Sequence, residues 1–355
     1  MRHSSFTDIG QFRNTIKSVK MAYQFVGLDD DGEAIVDRNA TPPIITFKGT
    51  VKSHGSNAGV AQDKDGEIWY QSRGNIITPE KDNAGFAFFA ESHKEVFKSF
   101  FADLREITQI HDKTIVIFGE WCGGNIQKGV ALNGLPKMLI IFAVKIVTDD
   151  ETENYYLNEE TWAHLKSPDE KIAPIYNIND FESFTIDIDF ANPLMAQNKL
   201  IEITEGVEKE CPIGKAFGRK LGEDNTTGEG VVWVGWYKGS RYIFKVKGEK
   251  HSSSKVKKLA PVDTEKLNSI NEFVEYACTE NRLNQAIEQV FTVNDKAPDI
   301  TAMGDFIRWV IKDIMKEEID TFKDNKLEPK DVNKYISNVA RKWFMTYLNS
   351  EAGIE

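Results

Sequence analysis

Cysteine is scarce in this chain. There are three in 355 residues, Cys122, Cys211 and Cys278, widely spaced and without a CxxC pair. That pattern excludes a disulfide framework and a cysteine-rich zinc site, and it fits a reducing, cytoplasmic setting. Positive charge is not in excess either. Lys and Arg number 44 against 55 Asp and Glu, a formal net charge of −11. Such a chain is neither a generally basic nucleic-acid binder nor a protein drawn to an anionic membrane. A local basic groove stays compatible with that balance, because charges farther apart than roughly 10 Å are largely screened at cellular salt. Long apolar runs are missing. The longest, MLIIFAV, falls far short of the about 20 residues that span a bilayer. The opening MRHSSFTDIGQF has no apolar stretch, so no secretion signal is expected. Internal repeats and low-complexity segments are absent as well.

What is present reads as two textures. A chain of this length exceeds what one core usually holds, so two domains are expected. From residue 44 to 72, ITFKGTV, AGVAQ and EIWYQS read as strands, with KDG as a hairpin turn. Ser92-His93-Lys94-Glu95 matches a capping box opening a helix, whose apolar stripe is Val96, Phe97, Phe100, Phe101, Leu104 and Ile107. TIVIFGEW and KMLIIFAVKIV read as buried strands. Asn192-Pro193 reads as the N-cap and first residue of the next helix. GVVWVGW and RYIFKVK, joined by YKGS, read as a hairpin. Beyond Pro261 strand signals vanish and helical periodicity takes over in NEFVEYACTENRLNQAIEQVF, DFIRWVIKDIMKEEI and VNKYISNVARKWFMTYL. The expected fold class is α+β: a domain over residues 1–258 with antiparallel sheets and flanking helices, then an all-helical domain over residues 259–355.

The stretch VKSHGSN, directly after the strand ITFKGT, carries the chemistry. A strand lysine is ordinarily a solvated surface charge. A nucleophilic one must lose its proton, and with an ordinary pKa near ~10.4 it needs nearby positive charge, a metal or burial to do so. Lys245 and Lys247 alternate in YIFKVKG and so share one strand face. Two ammonium groups converging on one point suit a polyphosphate. Glu120 in FGEW and Glu229 in GEGVVW each stand at a strand boundary beside glycine, where a carboxylate can hold a hydrated Mg²⁺ with few protein ligands.

Lys52-Ser53-His54-Gly55-Ser56-Asn57 resembles the KxHGxN motif of the bacteriophage RNA ligase 2 family, a branch of the covalent nucleotidyltransferases. The wider group, with DNA ligases and mRNA capping enzymes, more often has KxDG. Further segments follow in the family's order: SRGNIITPE with Arg73, IVIFGEWCGGNIQKGV with Glu120, IIFAVKI with Phe142, GEGVVWV with Glu229, and FKVK with Lys245 and Lys247. EYACTENRLNQAIEQV and IRWVIKDIM resemble the family's C-terminal domain. The chain departs from the pattern at Ala143, where an acidic residue is usual, and at Val234, where a lysine often stands.

The resemblance implies an ATP-dependent RNA ligase, with residues 1–258 as its adenylyltransferase domain. Lys52 would attack the α-phosphorus of ATP to give lysyl-AMP. The adenylate would pass to an RNA 5′-phosphate, and a 3′-OH would then displace AMP. The resemblance assigns catalysis to Lys52, His54, Lys245 and Lys247. It assigns nucleotide contacts to Asn57, Arg73, Glu120 (ribose), Phe142 (stacked on adenine) and Glu229, and Mg²⁺ or Mn²⁺ to Glu229 and Glu120. The implied partners are RNA ends, as nicks in duplex RNA or RNA–DNA hybrid during RNA repair. A monomer is expected, with no membrane partner. An mRNA guanylyltransferase and a catalytically silent nucleic-acid-binding relative are the alternatives. GEKHSSSKVKKLA, with Lys250, Lys255, Lys257 and Lys258, is the one strongly basic stretch, suited to an RNA backbone or to a solvated linker.

Overall fold

The computed structural model describes residues 1–220, 226–251, 266–294, 296–324 and 327–351. They form two compact units, Met1–Gly248 and Glu249–Glu355. The first is α+β and mostly antiparallel, and the described residues of the second are helical. The expected boundary near residue 258 lies outside the described residues, as do Lys255, Lys257 and Lys258.

In the first unit the strands run β1 (Gly10–Gln11), β2 (Phe25–Leu28), β3 (Ala34–Val36), β4 (Ile44–Val51), β5 (Ser56–Gln62), β6 (Ile68–Ser72) and β7 (Ile76–Ile77). They continue with β8 (Thr114–Cys122), β9 (Met138–Val147), β10 (Tyr155–Tyr156), β11 (Ile175–Asn177), β12 (Ser183–Asp189), β13 (Gly230–Tyr237) and β14 (Ser240–Lys247). One sheet has the order β1-β14-β13-β4-β12. The other runs β10-β9-β8-β5-β6-β7, with β11 added beside β9. β2 and β3 pair as a separate hairpin.

The alternation of β4 sets the first sheet. Ile45, Phe47 and Val51 enter the core, while Thr46, Lys48 and Thr50 face the other way. The register between β4, β13 and β14 sets Val234 opposite Lys48 and Ile243, Val232 opposite Thr50 and Lys245, and Gly230 opposite Lys247. One face of this sheet therefore carries, along β14, Lys247, Lys245, Ile243 and Arg241. The chain leaves β4 at Val51 and enters the second sheet at Ser56, so residues 52–55 are the crossover between the sheets.

Helix α1 (Phe12–Gln24) packs on β14, and α2 (Phe86–Ser92) precedes α3 (Lys94–Thr108). Phe97, Phe100, Phe101 and Leu104 are buried along α3 as expected, but Ile107 is exposed. The capping box does not form. Ser92 ends α2 and its hydroxyl donates back to the Phe88 carbonyl, while α3 starts at Lys94 without a side-chain cap. His93 makes the bend instead, its ring tilted against Phe89 with Nδ1 at that residue's carbonyl. After α4 (Glu159–Trp162), Pro193 opens a 3-10 turn rather than an α-helix. The regular helix α5 begins only at Gln197 and ends at Lys209, followed by α6 (Pro212–Ala216).

The second unit holds α7 (Lys266–Ala277), α8 (Glu280–Val290), α9 (Met303–Glu317), α10 (Ile319–Asp324) and α11 (Pro329–Glu351). Thr279 breaks the long helical stretch expected from the sequence: its hydroxyl caps α8 by accepting from the Arg282 amide. Phe273, Phe291, Phe306, Val310, Ile314 and Phe344 form its core. No helix of the described residues is long and apolar enough to cross a membrane.

Candidate active site

Lys52 is the first residue of the crossover. Its backbone N–H donates to the Gly230 carbonyl at 2.8 Å, extending the β4–β13 ladder by one rung. This ties the side chain to the start of β13, where Glu229 stands. Lys52 Nζ donates to Glu229 Oε2 at 2.6 Å, and His54 Nδ1 lies 2.8 Å from the same oxygen. Lys247 Nζ stands 3.1 Å from Glu229 Oε1. Three nitrogens thus converge on one carboxylate. Its side chain is 1% exposed, against 21% for Lys52 and 16% for Lys247, so the cations form the mouth and the carboxylate the floor.

Two glycines make this possible. A Cβ on Gly55 would lie 2.4 Å from the Trp121 carbonyl oxygen, and one on Gly230 would lie 2.2 Å from the Val246 oxygen. Gly230 also has φ +149°. Glycine is required at both because the backbones approach too closely for a side chain. The Gly55 amide donates to Glu120 Oε1 at 2.8 Å, which brings a second carboxylate beside the first.

The charges move one another. Burial raises the Glu229 carboxyl pKa, but Lys52, Lys247 and His54 outweigh it and hold the group well below the usual range. Glu120 goes the other way: burial pushes it up to about 7, and Glu229 adds to that against the pull of Lys52. Burial lowers Lys52, yet Glu229 and Glu120 prevail and its pKa is raised. Glu120 is thus easier to protonate than an ordinary carboxyl, and Lys52 rests as an ammonium.

Lys245 stands one alternation before Lys247 on the same face of β14, opposite Val232. Asn57 lies on β5 opposite Glu120. Arg73, just beyond β6, is exposed and pairs with Asp8, though its charge reaches Lys52 and lowers that pKa slightly. Phe142 sits at an irregularity of β9. Phe118 faces Ala143 and Gly119 faces Ile141, so Phe142 is the extra, bulged residue. The bulge turns its ring to the wall of a cavity, shared with Thr50, Ala143 and Val234.

Sequence reasoning missed four residues here. Phe6 lies edge-on to Phe142, ring centroids 5.0 Å apart at 78°. Asp8 holds Arg73. Lys48 reaches the cavity, held by Glu159 and Asn179. Arg241 lines the same cavity with its guanidinium 4.5 Å from the Tyr156 ring centroid. Burial lowers its pKa to about 10. The signal for Arg241 was available, since it continues the alternation of Lys245 and Lys247. Nothing in the first eight residues marked Phe6 or Asp8.

Among the described residues no group of three or more His, Cys, Asp or Glu side chains converges on a metal-sized point. A fully protein-ligated metal does not fit. A hydrated Mg²⁺ on one or two carboxylates does, because it keeps most of its waters.

Comparison with known proteins bears on this geometry. A family model described as RNA ligase matches residues 45–247, more than half of the chain. The search of curated proteins found no match to this chain. Among solved structures, a mutant Naegleria gruberi RNA ligase with ATP and Mn is 16% identical over 68% of this chain and 56% of that chain, with a TM-score of 0.40. The Naegleria gruberi RNA ligase with PPi is 15% identical over 69% and 56%, with a TM-score of 0.41. This chain thus spans just over half the length of those ligases. The matched span opens within β4 and closes on Lys247, so it encloses the whole cluster around Glu229, and on that match the chain belongs to the RNA ligase family.

Proposed function

We propose that this protein is an ATP-dependent RNA ligase that joins a 3′-OH to a 5′-phosphate through a lysyl-AMP on Lys52, in the manner of the bacteriophage RNA ligase 2 branch. The observation that carries the reading is the convergence of Lys52, His54 and Lys247 on the buried carboxylate of Glu229. A binding protein has no need of a lysine held at 2.6 Å from an inward-facing carboxylate. An enzyme that forms a phosphoramidate does, because the amine must be aimed at the phosphorus.

Lys52 attacks the α-phosphorus as the free amine, its proton released to solvent as the anionic phosphates and their cations displace it from Glu229. The N–P bond forms as the bond to pyrophosphate breaks. Lys247 and Lys245, on one face of β14, stabilise the charge that gathers on the phosphate oxygens. His54, its Nδ1 side fixed by Glu229, would contact the same phosphate. Glu120, held by the Gly55 amide, would take a ribose hydroxyl, and Asn57 and Arg73 the ribose or the RNA end. Glu229 and Glu120 would hold a hydrated Mg²⁺ or Mn²⁺, whose charge would help neutralise the phosphates and weaken the grip of Glu229 on the Lys52 proton. The adenylate then passes to an RNA 5′-phosphate, and a 3′-OH displaces AMP. Nicks in duplex RNA or RNA–DNA hybrid are the proposed substrate, RNA repair the proposed setting, and residues 1–258 the adenylyltransferase domain.

The test uses α-labelled ATP or GTP with Mg²⁺, denaturation, and detection of covalent label, with Lys52→Ala as control. Label from ATP, lost in Lys52→Ala, followed by sealing of a nicked RNA duplex, is the expected result. Label from GTP instead would assign a guanylyltransferase. Absence of label from both would assign a binding module.

A further inference from the structure

The mechanism leaves Arg241 unused. Its guanidinium offers five N–H donors and no acceptor, and it is buried enough for its pKa to fall to about 10. Among the described residues it makes no hydrogen bond and no ion pair. Its contacts are the faces of Tyr156, at 4.5 Å, and Phe6, at 5.7 Å. A guanidinium whose carbon lies over aromatic rings keeps N–H donors for something else.

Arg241 lines the cavity walled by Phe142 and Ala143 from β9 and by Thr50 and Val234 from β4 and β13. The two positions where the chain departs from the family pattern, Ala143 and Val234, both line it, and both are apolar. Of the two cations on the cavity wall, Lys48 is already taken by Glu159 and Asn179. Arg241 stands on the same strand and the same face as Lys245 and Lys247. Four residues of strand from Lys245 are about 13 Å, a separation that a nucleoside bridges when its phosphate lies at the lysines and its base beside Phe142.

We propose that Arg241 is the base-reading residue of this nucleotide site: its guanidinium donates to a ring-nitrogen acceptor on the purine edge remote from the phosphates. The inference rests on the ATP-binding reading above and adds to it the residue that sets base specificity. A charge-assisted hydrogen bond of this kind discriminates by about tenfold or more. Stacking on Phe142 alone is tolerant of base identity, because every base has a π-face.

The experiment measures Lys52 labelling by the full-length protein with Mg²⁺ and ATP, 1-deaza-ATP, 3-deaza-ATP or 7-deaza-ATP, each of which lacks one ring acceptor. In the unaltered protein at least one analogue should label with about tenfold lower efficiency than ATP. In Arg241→Met that penalty should vanish while the ratios for the other analogues stay as they were, and Arg241→Lys should keep part of it. Identical analogue ratios in the unaltered and Arg241→Met proteins would overturn the proposal. So would an unaltered protein indifferent to all three analogues. If Arg241→Met does not fold, the unaltered protein and Arg241→Lys decide by the same criteria. Failure of ATP itself to label Lys52 would remove the underlying reading, and the Arg241 proposal with it, and is distinguished by the first lane of the experiment.

Discussion

The protein holds two buried ionic clusters of opposite construction. In the first unit one carboxylate, Glu229, is shared by Lys52, His54 and Lys247. In the helical unit one guanidinium, Arg282, is shared by Asp313 at 2.9 Å and Glu318 at 3.4 Å. Tyr276 and Thr321 donate to Glu318 as well, and Arg282 also donates to the Ala277 carbonyl. Arg282 and Glu318 are fully buried, so that cluster is closed to ligands. The Glu229 cluster has its cations outward and partly exposed. The closed cluster sets one cation against two carboxylates with its core shut from solvent, whereas the open one turns Lys52 and Lys247 outward, where an anion from outside can meet them. Charge sign and exposure together, rather than burial alone, separate a site from a structural brace.

Substitution should drive the two clusters apart. Glu229→Gln keeps shape and removes charge, so the largest effect falls on chemistry. Self-adenylylation should drop by about 10² or more, while Lys52 and Lys247 hydrate at the mouth and the melting temperature changes little. Single-turnover labelling and thermal melts check both halves. Arg282→Met should do the reverse, destabilising the helical unit by about 3–5 kcal/mol because the buried Glu318 and the half-buried Asp313 lose their cation, with Lys52 labelling by ATP nearly intact. Urea unfolding of the full chain measures the first, and the labelling assay the second. Equal loss of labelling in both variants would break the comparison.

The open cluster should also show itself in pH. Carboxylates hold the Lys52 pKa up, so labelling should climb with pH into the alkaline range as the ammonium gives up its proton. Glu229→Gln removes the largest factor raising that pKa and should move the inflection to lower pH, even as the maximal rate falls. A pH–rate profile of both proteins decides, and an unmoved inflection would contradict the assignment. The smallest effect concerns Glu120. Folding raises its pKa from 4.5 to about 7. The protonated form therefore favours the fold, with a contribution that is complete below pH 4.5 and lost as pH rises through 7. Glu120→Gln, always neutral, should melt a few degrees higher than the parent above pH 7 and at the same temperature near pH 4.5.

Much of this was legible in the sequence because it rests on period and on backbone demand. β4, β8, β9 and the β13–β14 hairpin were visible as apolar runs or alternations, and Lys245 and Lys247 followed from period two. The glycines of His-Gly and Glu-Gly had a backbone reason that only the packing exposes, the close approach of Trp121 and Val246. β12, SFTIDID, escaped notice because its alternating Asp and Thr side chains face solvent on an edge strand. The capping box failed because a preceding helix, α2, competed for Ser92. The cavity was illegible for a different reason. It is made by residues from β4, β9, β13 and β14, brought together by a bulge at Phe142 that no local pattern announces. Residues 1–8 carry no motif, yet Phe6 and Asp8 meet Phe142 and Arg73 through tertiary contact alone.

The central claim is that the Lys52 side chain becomes bonded to adenylate. The direct measurement is mass spectrometry of proteolytic peptides after incubation with ATP and Mg²⁺. The account predicts one added adenylyl group on the peptide containing Lys52, acid-labile as a phosphoramidate is, and absent from Lys52→Ala. An unmodified Lys52 peptide, or an adenylyl group on some other lysine, would contradict it.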